Sequence, residues 1–425
     1  MYNRIEDFLH KYDIIYPRQF GFRKKYSTNH ALLSIVEQIR SNLDNKTFSC
    51  GVFVDLEKAF DTVNHNILLK KLDHYGIRGK TNNWIRSYLT NRTQCVSVNG
   101  AKSKSMKVSC GVPQGSILGP LLFIIYINDM NKALNKSTVH HFADDTNLLF
   151  SHKDPTIIRK TMNIELDLLF EWLCANRLSL NVGKTEFIIF RPPRMNLGNR
   201  IVLRLNHKNF FESRKIKYLG LLIDDRLTWK FHINELCKKL NRSVGMLYKL
   251  RHLCPKSVLR SLYFSIFNSH LVYGIPVWGN ADKIYIEKVN ILQKKAIRAI
   301  TFSEYRAHSL PILKNLEILS INDLYKYQVS SLMWDLDHDI LPSSISSYFT
   351  KLRNVHDHST RLADIGKLCI NKTNTKRYGL RSFKIEGAKM LNSLKDQAMY
   401  SNARSKSDFL RNLKLFYLEK YCEPI

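Results

Sequence analysis

The stretch "HHFADDTNLLF", residues 140–150, places Asp144 and Asp145 side by side between two apolar runs. Together with the three residues before it, this stretch is typical of a β-hairpin that carries both aspartates at its turn. Because Asp is a preferred turn residue, an isolated pair of this kind indicates no more than an acidic turn. What the pair does therefore depends on the rest of the chain.

A third carboxylate follows another predicted strand. The run "CGVFVDL", residues 50–56, is apolar up to Val54 and then reaches Asp55, which predicts a buried strand with an acid at its carboxyl end. Carboxylates gathered at strand ends cannot all ionise unless a cation neutralises them, and Mg²⁺ prefers oxygen ligands. Two such ions can activate an attacking oxygen and stabilise a leaving one in phosphoryl transfer. The three aspartates therefore form a candidate two-metal site of the kind a polymerase uses.

The charge of the chain points to a polyanionic partner. Among 425 residues, 66 Lys and Arg stand against 36 Asp and Glu, which gives a net charge of +30. Hydrophobic residues make up 44% of the chain, as in an ordinary globular protein and unlike a disordered basic tail. A positive charge of this size favours binding to nucleic acid, because binding releases the counterions of the phosphates. Nucleic acid is therefore the first expected partner, before a membrane surface.

Three other classes of protein are disfavoured. The long uncharged window at 108–128 contains three glycines and two prolines, so it does not predict a membrane-spanning helix. The eight cysteines include no CxxC pair, which indicates neither a zinc site nor a disulfide framework. The first residues lack a secretory signal pattern, so we expect an intracellular protein, in the nucleus or the cytoplasm, that is not secreted.

The pattern of apolar residues changes along the chain. A helix is predicted over 27–43, another after Asp55 with Gly76 near its end, and a hairpin at Asn99 and Gly100, so residues 1–225 mix strands and helices. A helical pattern begins after Trp229, and residues 191–260 hold 17 Lys and Arg against 4 acids. Residues 281–425 are also mainly helical in pattern and contain no motif with a recognisable chemistry. The chain is therefore predicted to be an α+β unit followed by basic and mixed helical regions.

Five motifs occur in a fixed order: "FVDLEKAFDTVNH", "GVPQGSILGPLLF", "FADD", "LSLNVGKTEF" and "KYLGLLID". In this order they resemble the reverse transcriptase of non-LTR, LINE-type retrotransposons, from "QFGFRKKYSTNHAL" to the region of Trp229. The resemblance implies a right-hand polymerase palm with partial fingers over 1–225, a basic helical thumb over 226–305, and a helical region of unknown role over 306–425. It implies an RNA-directed DNA polymerase that acts on an RNA template, a DNA primer and deoxynucleoside triphosphates.

The resemblance also assigns roles at the metal site. Asp55, Asp144 and Asp145 match the family's metal-binding aspartates, with the Leu56 carbonyl beside them. Two Mg²⁺ ions are implied, with Mn²⁺ as a substitute. The primer 3′-OH would attack the α-phosphate of the incoming nucleotide, and pyrophosphate would leave.

Further residues match the family's nucleotide site. Phe60 matches the aromatic residue that excludes a 2′-OH, although in "KAFD" alone it is typical of a core aromatic. Gln114 and Gly115 match the loop that contacts nucleotide and template; alone, "PQG" would be only a turn. Lys184 matches a lysine near the leaving pyrophosphate, with a solvated turn lysine as the other interpretation. Arg23 matches an arginine of the fingers near the nucleotide or template.

The resemblance extends to the primer and the duplex. Tyr218, Leu219 and Gly220 match the primer grip, a hairpin that holds the primer 3′ end, although the same residues also fit an ordinary strand and turn. The basic helices after residue 230 match a thumb that follows the primer–template duplex through its phosphates. The oligomeric state is left open.

Two departures from the family define the alternatives. Only 18 residues precede Gln19, and no endonuclease domain is present, so we expect an N-terminally truncated chain that lacks cations for the triphosphate. The alternative function is a catalytically weak or dead remnant that binds RNA or DNA. A group II intron maturase or a telomerase is a third interpretation, which the "AFDTVNH" and "KYLG" contexts disfavour.

Overall fold

The computed structural model describes residues 1–195, 197–198, 201–205, 208–354 and 366–422. The chain forms two compact units that interleave in sequence. The first contains Met1–Ala31 and Thr47–Ser213, and the second contains Leu32–Lys46 and Arg214–Ile425. The division of the later residues into a thumb and a C-terminal region stays a prediction.

The elements up to Ser213 mix helices with short and long strands. In chain order they are α1 (Tyr2–Lys11), α2 (Thr28–Asp44), β1 (Phe48–Val54), β2 (Leu56–Glu57), α3 (His65–His74), α4 (Gly79–Leu89), β3 (Thr93–Gln94), β4 (Ser97–Val98), β5 (Ala101–Lys102), β6 (Met106–Lys107), α5 (Leu118–Ile127), a 3₁₀ turn (Met130–Ala133), β7 (Thr138–Phe142), β8 (Asp145–His152), α6 (Pro155–Ala175), β9 (Ser179–Leu180), β10 (Glu186–Phe190), β11 (Val202–Leu205) and β12 (Lys208–Phe211). The mixture predicted for this part of the chain is confirmed.

The elements after Ser213 are one hairpin and many helices. They are β13 (Lys215–Tyr218), β14 (Leu221–Asp224), α7 (Lys230–Leu250), α8 (Lys256–Leu262), a π-helix (Tyr263–Asn268), α9 (Ser269–Val272), α10 (Ile275–Trp278), α11 (Lys283–Thr301), α12 (Ser309–Asn315), α13 (Ile321–Asp337), α14 (Ser343–Ser346), a 3₁₀ turn (Leu352–Asn354), a π-helix (Lys376–Leu380), α15 (Phe383–Lys395), α16 (Ala398–Ser401), α17 (Lys406–Glu419) and a 3₁₀ turn (Lys420–Cys422). The predicted change to a helical pattern after Trp229 is confirmed.

A four-stranded antiparallel sheet, in the order β10-β1-β8-β7, forms the centre of the first unit. Every residue of β1 is buried, as expected for a strand that is apolar on both faces. All residues of α5 except Pro120 are also buried, so this apolar segment is a core helix. Among the described residues, no helix has the length and apolar character to cross a membrane.

Local sequence signals account for several turns. The hairpin of β4 and β5 turns at Asn99 and Gly100, with φ values of 49° and 85°, the left-handed pair that an Asn-Gly turn provides. Helix α3 starts at the side chain of Asn64, which accepts a hydrogen bond from the Ile67 amide. It ends before Gly76, whose φ of 92° suits the left-handed position after a helix. These elements confirm the predicted hairpin and helix end.

The second unit includes most of α2 because a buried carboxylate joins this helix to α15. Glu37 accepts hydrogen bonds from the backbone amides of Phe383 and Lys384, at 2.8 and 3.1 Å, at the first turn of α15. A carboxylate at a helix N-terminus satisfies amides that lack partners within the helix. Burial raises the pKa of Glu37, while the nearby Arg40 lowers it.

Candidate active site

Three aspartates lie at one end of the central sheet. Val54, the last residue of β1, pairs with Thr146 of β8; Asp55 directly follows Val54 in the chain, and Asp145 directly precedes Thr146. Asp144 occupies the turn between β7 and β8. The hairpin predicted from "FADD" and the strand predicted before Asp55 are therefore confirmed, and the sheet register brings the three carboxyl groups together.

The three carboxyl groups influence one another electrostatically. The pKa of Asp145 is raised to about 6, mainly by burial and in smaller part by the charges of Asp144 and Asp55. Burial also raises the pKa of Asp144, with Asp55 as a further cause. Neighbouring negative charges in a partly dehydrated place favour protonation unless a cation neutralises them. This end of the sheet is therefore suited to bind positive charge.

The donor set suits a hard divalent cation. Within the described part of the chain, no three acidic, histidine or cysteine side chains already converge tightly enough to enclose a metal ion. The three aspartates nevertheless offer carboxylate oxygens at one end of one sheet, and the Leu56 carbonyl follows in sequence. Mg²⁺ takes oxygen ligands and keeps several waters, so it does not require a closed protein cage. The residues present therefore fit this ion.

The turn that carries Asp144 is held by a residue far away in sequence. The side-chain oxygen of Gln19 accepts hydrogen bonds from the backbone amides of Gly21 and Ala143, at 2.9 and 3.1 Å. The backbone of this segment also pairs with β7, since the Phe20 amide donates to the His141 carbonyl at 2.8 Å. Ala143 has a φ of 55°, a conformation that needs support in a residue with a Cβ.

Gly21 allows this support to approach closely. A Cβ added at Gly21 would overlap the backbone nitrogen of Ala143. Sequence reasoning used "QFGFR" only as part of a resemblance and missed the contribution of Gln19 and Gly21 to the aspartate turn. Gly21 itself was a signal of this contact, because a glycine allows another part of the backbone to come close.

Lys184 lies next to the first aspartate. Its ammonium nitrogen is 3.7 Å from a carboxylate oxygen of Asp55, and its side chain is 72% exposed. The segment before it is held by the Asn181 amide, which donates to the Asp55 carbonyl at 2.8 Å. The structure therefore brings Lys184 to the site, while its role in leaving-group departure stays a prediction.

Phe60 is a half-buried aromatic at the edge of the core. Its ring stacks on Phe123 of α5 with centroids 4.4 Å apart, and Phe22 meets it edge-on at 6.0 Å. It is thus packed like a core residue on one side, in agreement with the simpler interpretation of "KAFD". Its proposed contact with a sugar stays a prediction.

Gln114 and Gly115 lie on an exposed loop before α5. The Gln114 amide donates a hydrogen bond to Asp61 at 2.8 Å, which joins this loop to the segment after Phe60. Gly115 has a φ of 79° with open space around it. A second glycine, Gly111, also has a positive φ, and a Cβ there would press against the Asp61 backbone.

Arg23 has internal partners. Its guanidinium donates to the carbonyls of Tyr16 and Gln19, both at 3.2 Å, and lies 4.1 Å from the centre of the Tyr26 ring. These contacts support the segment that holds the aspartate turn. A contact of Arg23 with a nucleotide or template stays a prediction.

The predicted primer grip is the hairpin of β13 and β14 in the second unit. Leu219 and Gly220 form its turn, with φ values of 42° and 81°, and Tyr218 is buried in β13. The hydroxyl of Tyr273 donates a hydrogen bond to the Leu219 carbonyl at 2.6 Å. Tyr273, the residue directly after α9, therefore supports this turn, a contact that the sequence did not predict.

The first 223 residues, which contain the three aspartates and the loops around them, match the family model of reverse transcriptase (RNA-dependent DNA polymerase). The chain belongs to the reverse transcriptase family. Its mixed helix and sheet are those of a reverse transcriptase, and the sheet that carries Asp55 and Asp145 lies inside the matched region.

The relatives of this reverse transcriptase come from mobile elements. It is 29% identical over 317 residues to the RNA-directed DNA polymerase from mobile element jockey of Drosophila melanogaster, covering 72% of this chain and 34% of that protein. It is 28% identical over 338 residues to the probable RNA-directed DNA polymerase from transposon X-element of the same fly, covering 75% of this chain and 36% of that protein. The resemblance to non-LTR retrotransposons is therefore confirmed, and the chain spans about a third of the length of these curated relatives.

Among solved structures, the reverse transcriptase is similar to telomerase from Candida tropicalis in complex with a fragment of telomeric RNA. The TM-score is 0.43 with 15% sequence identity, and the match covers 97% of this chain and 55% of that one.

Proposed function

We propose that this reverse transcriptase is an active RNA-directed DNA polymerase that joins deoxynucleotides to a primer 3′-OH on an RNA template. The observation that carries the proposal is that Asp55 and Asp145 flank the Val54–Thr146 pair, with Asp144 in the adjacent turn, at one end of the sheet. Within a right-hand polymerase, residues 1–225 would form the palm with partial fingers, and the basic helices over 226–305 would form the thumb.

The aspartates would hold the metal ions of the reaction. Asp55, Asp144 and Asp145, with the Leu56 carbonyl, are the proposed ligands for two Mg²⁺ ions, which Mn²⁺ could replace. When bound, such ions activate the attacking hydroxyl and stabilise the leaving oxygen. The aspartates would fix the place of this charge, because Asp55 and Asp145 flank the last pair of β1 with β8 and the Gln19 hydrogen bond supports the turn of Asp144.

Lys184 would act on the leaving group. Its ammonium lies beside Asp55 and is largely exposed, so it can turn toward a pyrophosphate that departs near this carboxylate. A cation there stabilises the negative charge that develops on the leaving oxygens, or donates a proton to them. The long Nζ–Oδ2 distance of 3.7 Å leaves this side chain free to change partner.

Residues at the edge of the core would select the nucleotide. Phe60 is held by its stacking on Phe123, so its ring is a rigid surface against which a 2′-OH would clash. Gln114 is fixed through Asp61, and Gly115 leaves open space beside it for a nucleotide or a template base. Arg23 is proposed to lie near the same nucleotide or template.

The second unit would hold the primer and the duplex. Tyr218, Leu219 and Gly220 are the proposed primer grip, and the exposed lysines and arginines of α7 are the proposed phosphate contacts: Lys230, Lys238, Lys239, Arg242 and Lys249. Such contacts hold a duplex by shape and charge without reading its bases. Because template and primer are nucleic acids, we propose that the protein acts in the nucleus or the cytoplasm.

Primer extension with the purified chain tests the proposal. We expect incorporation of deoxynucleotides on an RNA template with Mg²⁺, and little incorporation of ribonucleotides. The same chain mixed with primer and template but without divalent cation is the control, and it should bind the duplex without extending it. Duplex binding without extension under all metal conditions would contradict the polymerase and favour a binding-only remnant.

A further inference from the structure

The segment between α3 and the end of α5 carries only positive charge. From residue 74 to residue 128 the chain contains seven Lys and Arg and no Asp or Glu. Four of these cations, Arg92, Lys102, Lys104 and Lys107, lie on or beside the ribbon of β3 to β6, and none has an ion-pair partner in the described part of the chain. Unneutralised positive charge in a folded protein attracts polyanions.

The ribbon, residues 93–107, lies on the surface of the protein. Each of its residues is exposed. It is held by the pairing of β3 with β6 and of β4 with β5, and by the Ser103 amide, which donates to the Val96 carbonyl at 2.8 Å. Exposed apolar side chains lie among its lysines: Val96 at 65%, Val98 at 63% and Met106 at 67% exposure. A two-stranded ribbon without a core is marginal alone, so a partner surface would stabilise it.

A cleft of about 670 Å³ lies at the base of the ribbon. Its lining includes the cations Lys58, Arg92 and Lys107, and its one acid among the lining residues is Asp61. Asp61 already accepts the hydrogen bond of Gln114 at 2.8 Å, and Gln114 lines the same cleft. The cleft therefore connects the basic ribbon with the loop proposed to contact the nucleotide and the template.

We propose that the ribbon and this cleft bind the single-stranded part of the RNA template that has not yet been copied. This inference rests on the proposed function, because it identifies the cleft as the path of the template toward Gln114. The cations are spaced along an extended element and suit successive phosphates, whereas the exposed Val96, Val98 and Met106 offer apolar contacts to unstacked bases. A positively charged groove with apolar contacts is how proteins bind single strands without reading sequence.

The test compares two sets of surface variants of the full chain. The ribbon variant carries Lys102→Gln, Lys104→Gln and Lys107→Gln. The control variant carries Lys136→Gln, Lys153→Gln and Lys160→Gln, three exposed lysines of the same unit that do not line the cleft. Both lose the same charge at exposed positions, and equal melting temperatures show that both fold.

Fluorescence anisotropy without nucleotides measures binding to two labelled RNA–DNA duplexes, one blunt and one with a long unpaired template overhang. For the overhang duplex, we expect the ribbon variant to bind about tenfold more weakly than the control variant. The plot of the logarithm of its binding constant against the logarithm of salt concentration should become less steep by about 2, because each lost phosphate contact on a single strand removes about 0.7 from the slope. The blunt duplex should bind both variants equally, and RNA and DNA overhangs should show the same loss.

Several results would overturn the inference. Equal overhang binding by the ribbon and control variants would show that the lysines do not contact the template. An equal loss with blunt and overhang duplexes would assign the ribbon to the duplex instead, and a loss with only one kind of overhang would contradict recognition through phosphates. An inactive wild-type chain whose overhang binding still depends on the ribbon would overturn the role in copying a template and leave only a site that binds single strands.

Discussion

The side-chain oxygen of Gln19 accepts a hydrogen bond from the backbone amide of Ala143, the residue directly before Asp144, at a distance of 3.1 Å. The two residues are separated by 124 positions, and both ends of this bond are buried. The same oxygen also accepts from the Gly21 amide. One uncharged side chain therefore supports the backbone turn on which two of the three proposed metal-binding aspartates depend.

Replacement of Gln19 by Met should impair catalysis more than binding. Met has a similar shape but offers no strong acceptor, so the amides of Gly21 and Ala143 would be buried without a partner, at a cost of about 1 to 3 kcal/mol each. We expect kcat for primer extension to fall about tenfold or more as the turn shifts. The Kd for the primer–template duplex should change little.

Steady-state kinetics and duplex binding of Gln19→Met, measured together, check this role. A variant that loses duplex binding and kcat in equal proportion would indicate general unfolding instead. Unchanged kcat would show that the Ala143 amide bond does not position the aspartates.

Replacement of Gly21 by Ala should destabilise the first unit. The added Cβ would overlap the nitrogen of Ala143, so the segment of Gln19 has to move away from the aspartate turn. Gly245→Ala is the matched control, since Gly245 lies inside α7 with open space around it. That control should stabilise its helix by up to about 1 kcal/mol.

Thermal unfolding and primer extension of both glycine variants test this difference. Gly21→Ala should melt at a lower temperature and lose activity, whereas Gly245→Ala should melt at the same or a slightly higher temperature and stay active. If Gly21→Ala were as active as the wild type, the close approach of this segment would be unnecessary.

Replacement of Tyr273 by Phe should weaken the hold on the primer. The variant removes only the hydroxyl that donates to the Leu219 carbonyl, so the turn of the proposed primer grip loses one support. We expect the KM for the primer–template to rise several-fold, with kcat at saturating substrate nearly unchanged. Tyr305→Phe is the control, because Tyr305 is 73% exposed.

Extension rates over a range of primer–template concentrations measure both constants. A fall in kcat without a change in KM would place Tyr273 in the chemical step rather than in primer binding.

The stability of the second unit should decrease in mild acid because of His232. The pKa of His232 is lowered to about 4, mainly by burial and in smaller part by the charge of Lys239, whereas the unfolded value is about 6.5. The folded state therefore favours the neutral ring. The neutral ring makes its full contribution to the free energy of unfolding above about pH 6.5. This contribution decreases as the pH falls toward 4, by up to about 3 kcal/mol.

Urea unfolding at about pH 7.5 and about pH 4.5 measures this loss. His232→Phe keeps an aromatic ring next to Trp278, whose ring centre is 5.6 Å away, and should lose less stability across this range. Buried His141, with a pKa lowered to about 3, contributes in the same direction, so some pH dependence should persist. If the stability of His232→Phe depended on pH as strongly as that of the wild type, His232 would not be the cause of the acid sensitivity. His10→Phe, on the exposed side of α1, is the control.

The order of apolar and polar residues along the chain predicted those parts of the site that depend on strand formation alone. The apolar run before Asp55 and the alternation around Asp144 specify buried strands, and both strands form as expected. The contact of Gln19 with Ala143 was not predictable in this way, because a side chain that reaches another part of the chain leaves no periodic signal.

The interleaving of the two units could not be predicted from sequence patterns either. The apolar stripe predicted α2 as one core-facing helix, but nothing in it indicated that Glu37 would cap α15 more than 300 residues later. Similarly, the approach of Lys184 to Asp55 followed from a family resemblance and not from its own surroundings. Contacts between single polar side chains and distant parts of the chain could therefore be identified only from the structure.

The most direct test of the account compares primer extension by the wild-type chain with that by a variant carrying Asp144→Asn and Asp145→Asn. Asn keeps the shape of each side chain but removes the negative charges that would hold Mg²⁺. A second variant, Asp73→Asn with Asp167→Asn, removes two exposed carboxylates elsewhere in the same unit. On an RNA template with Mg²⁺, we predict extension by the wild type and this control, and none by the double variant, while all three bind the duplex. Equal extension by all three would contradict the assignment of the aspartates as the catalytic site.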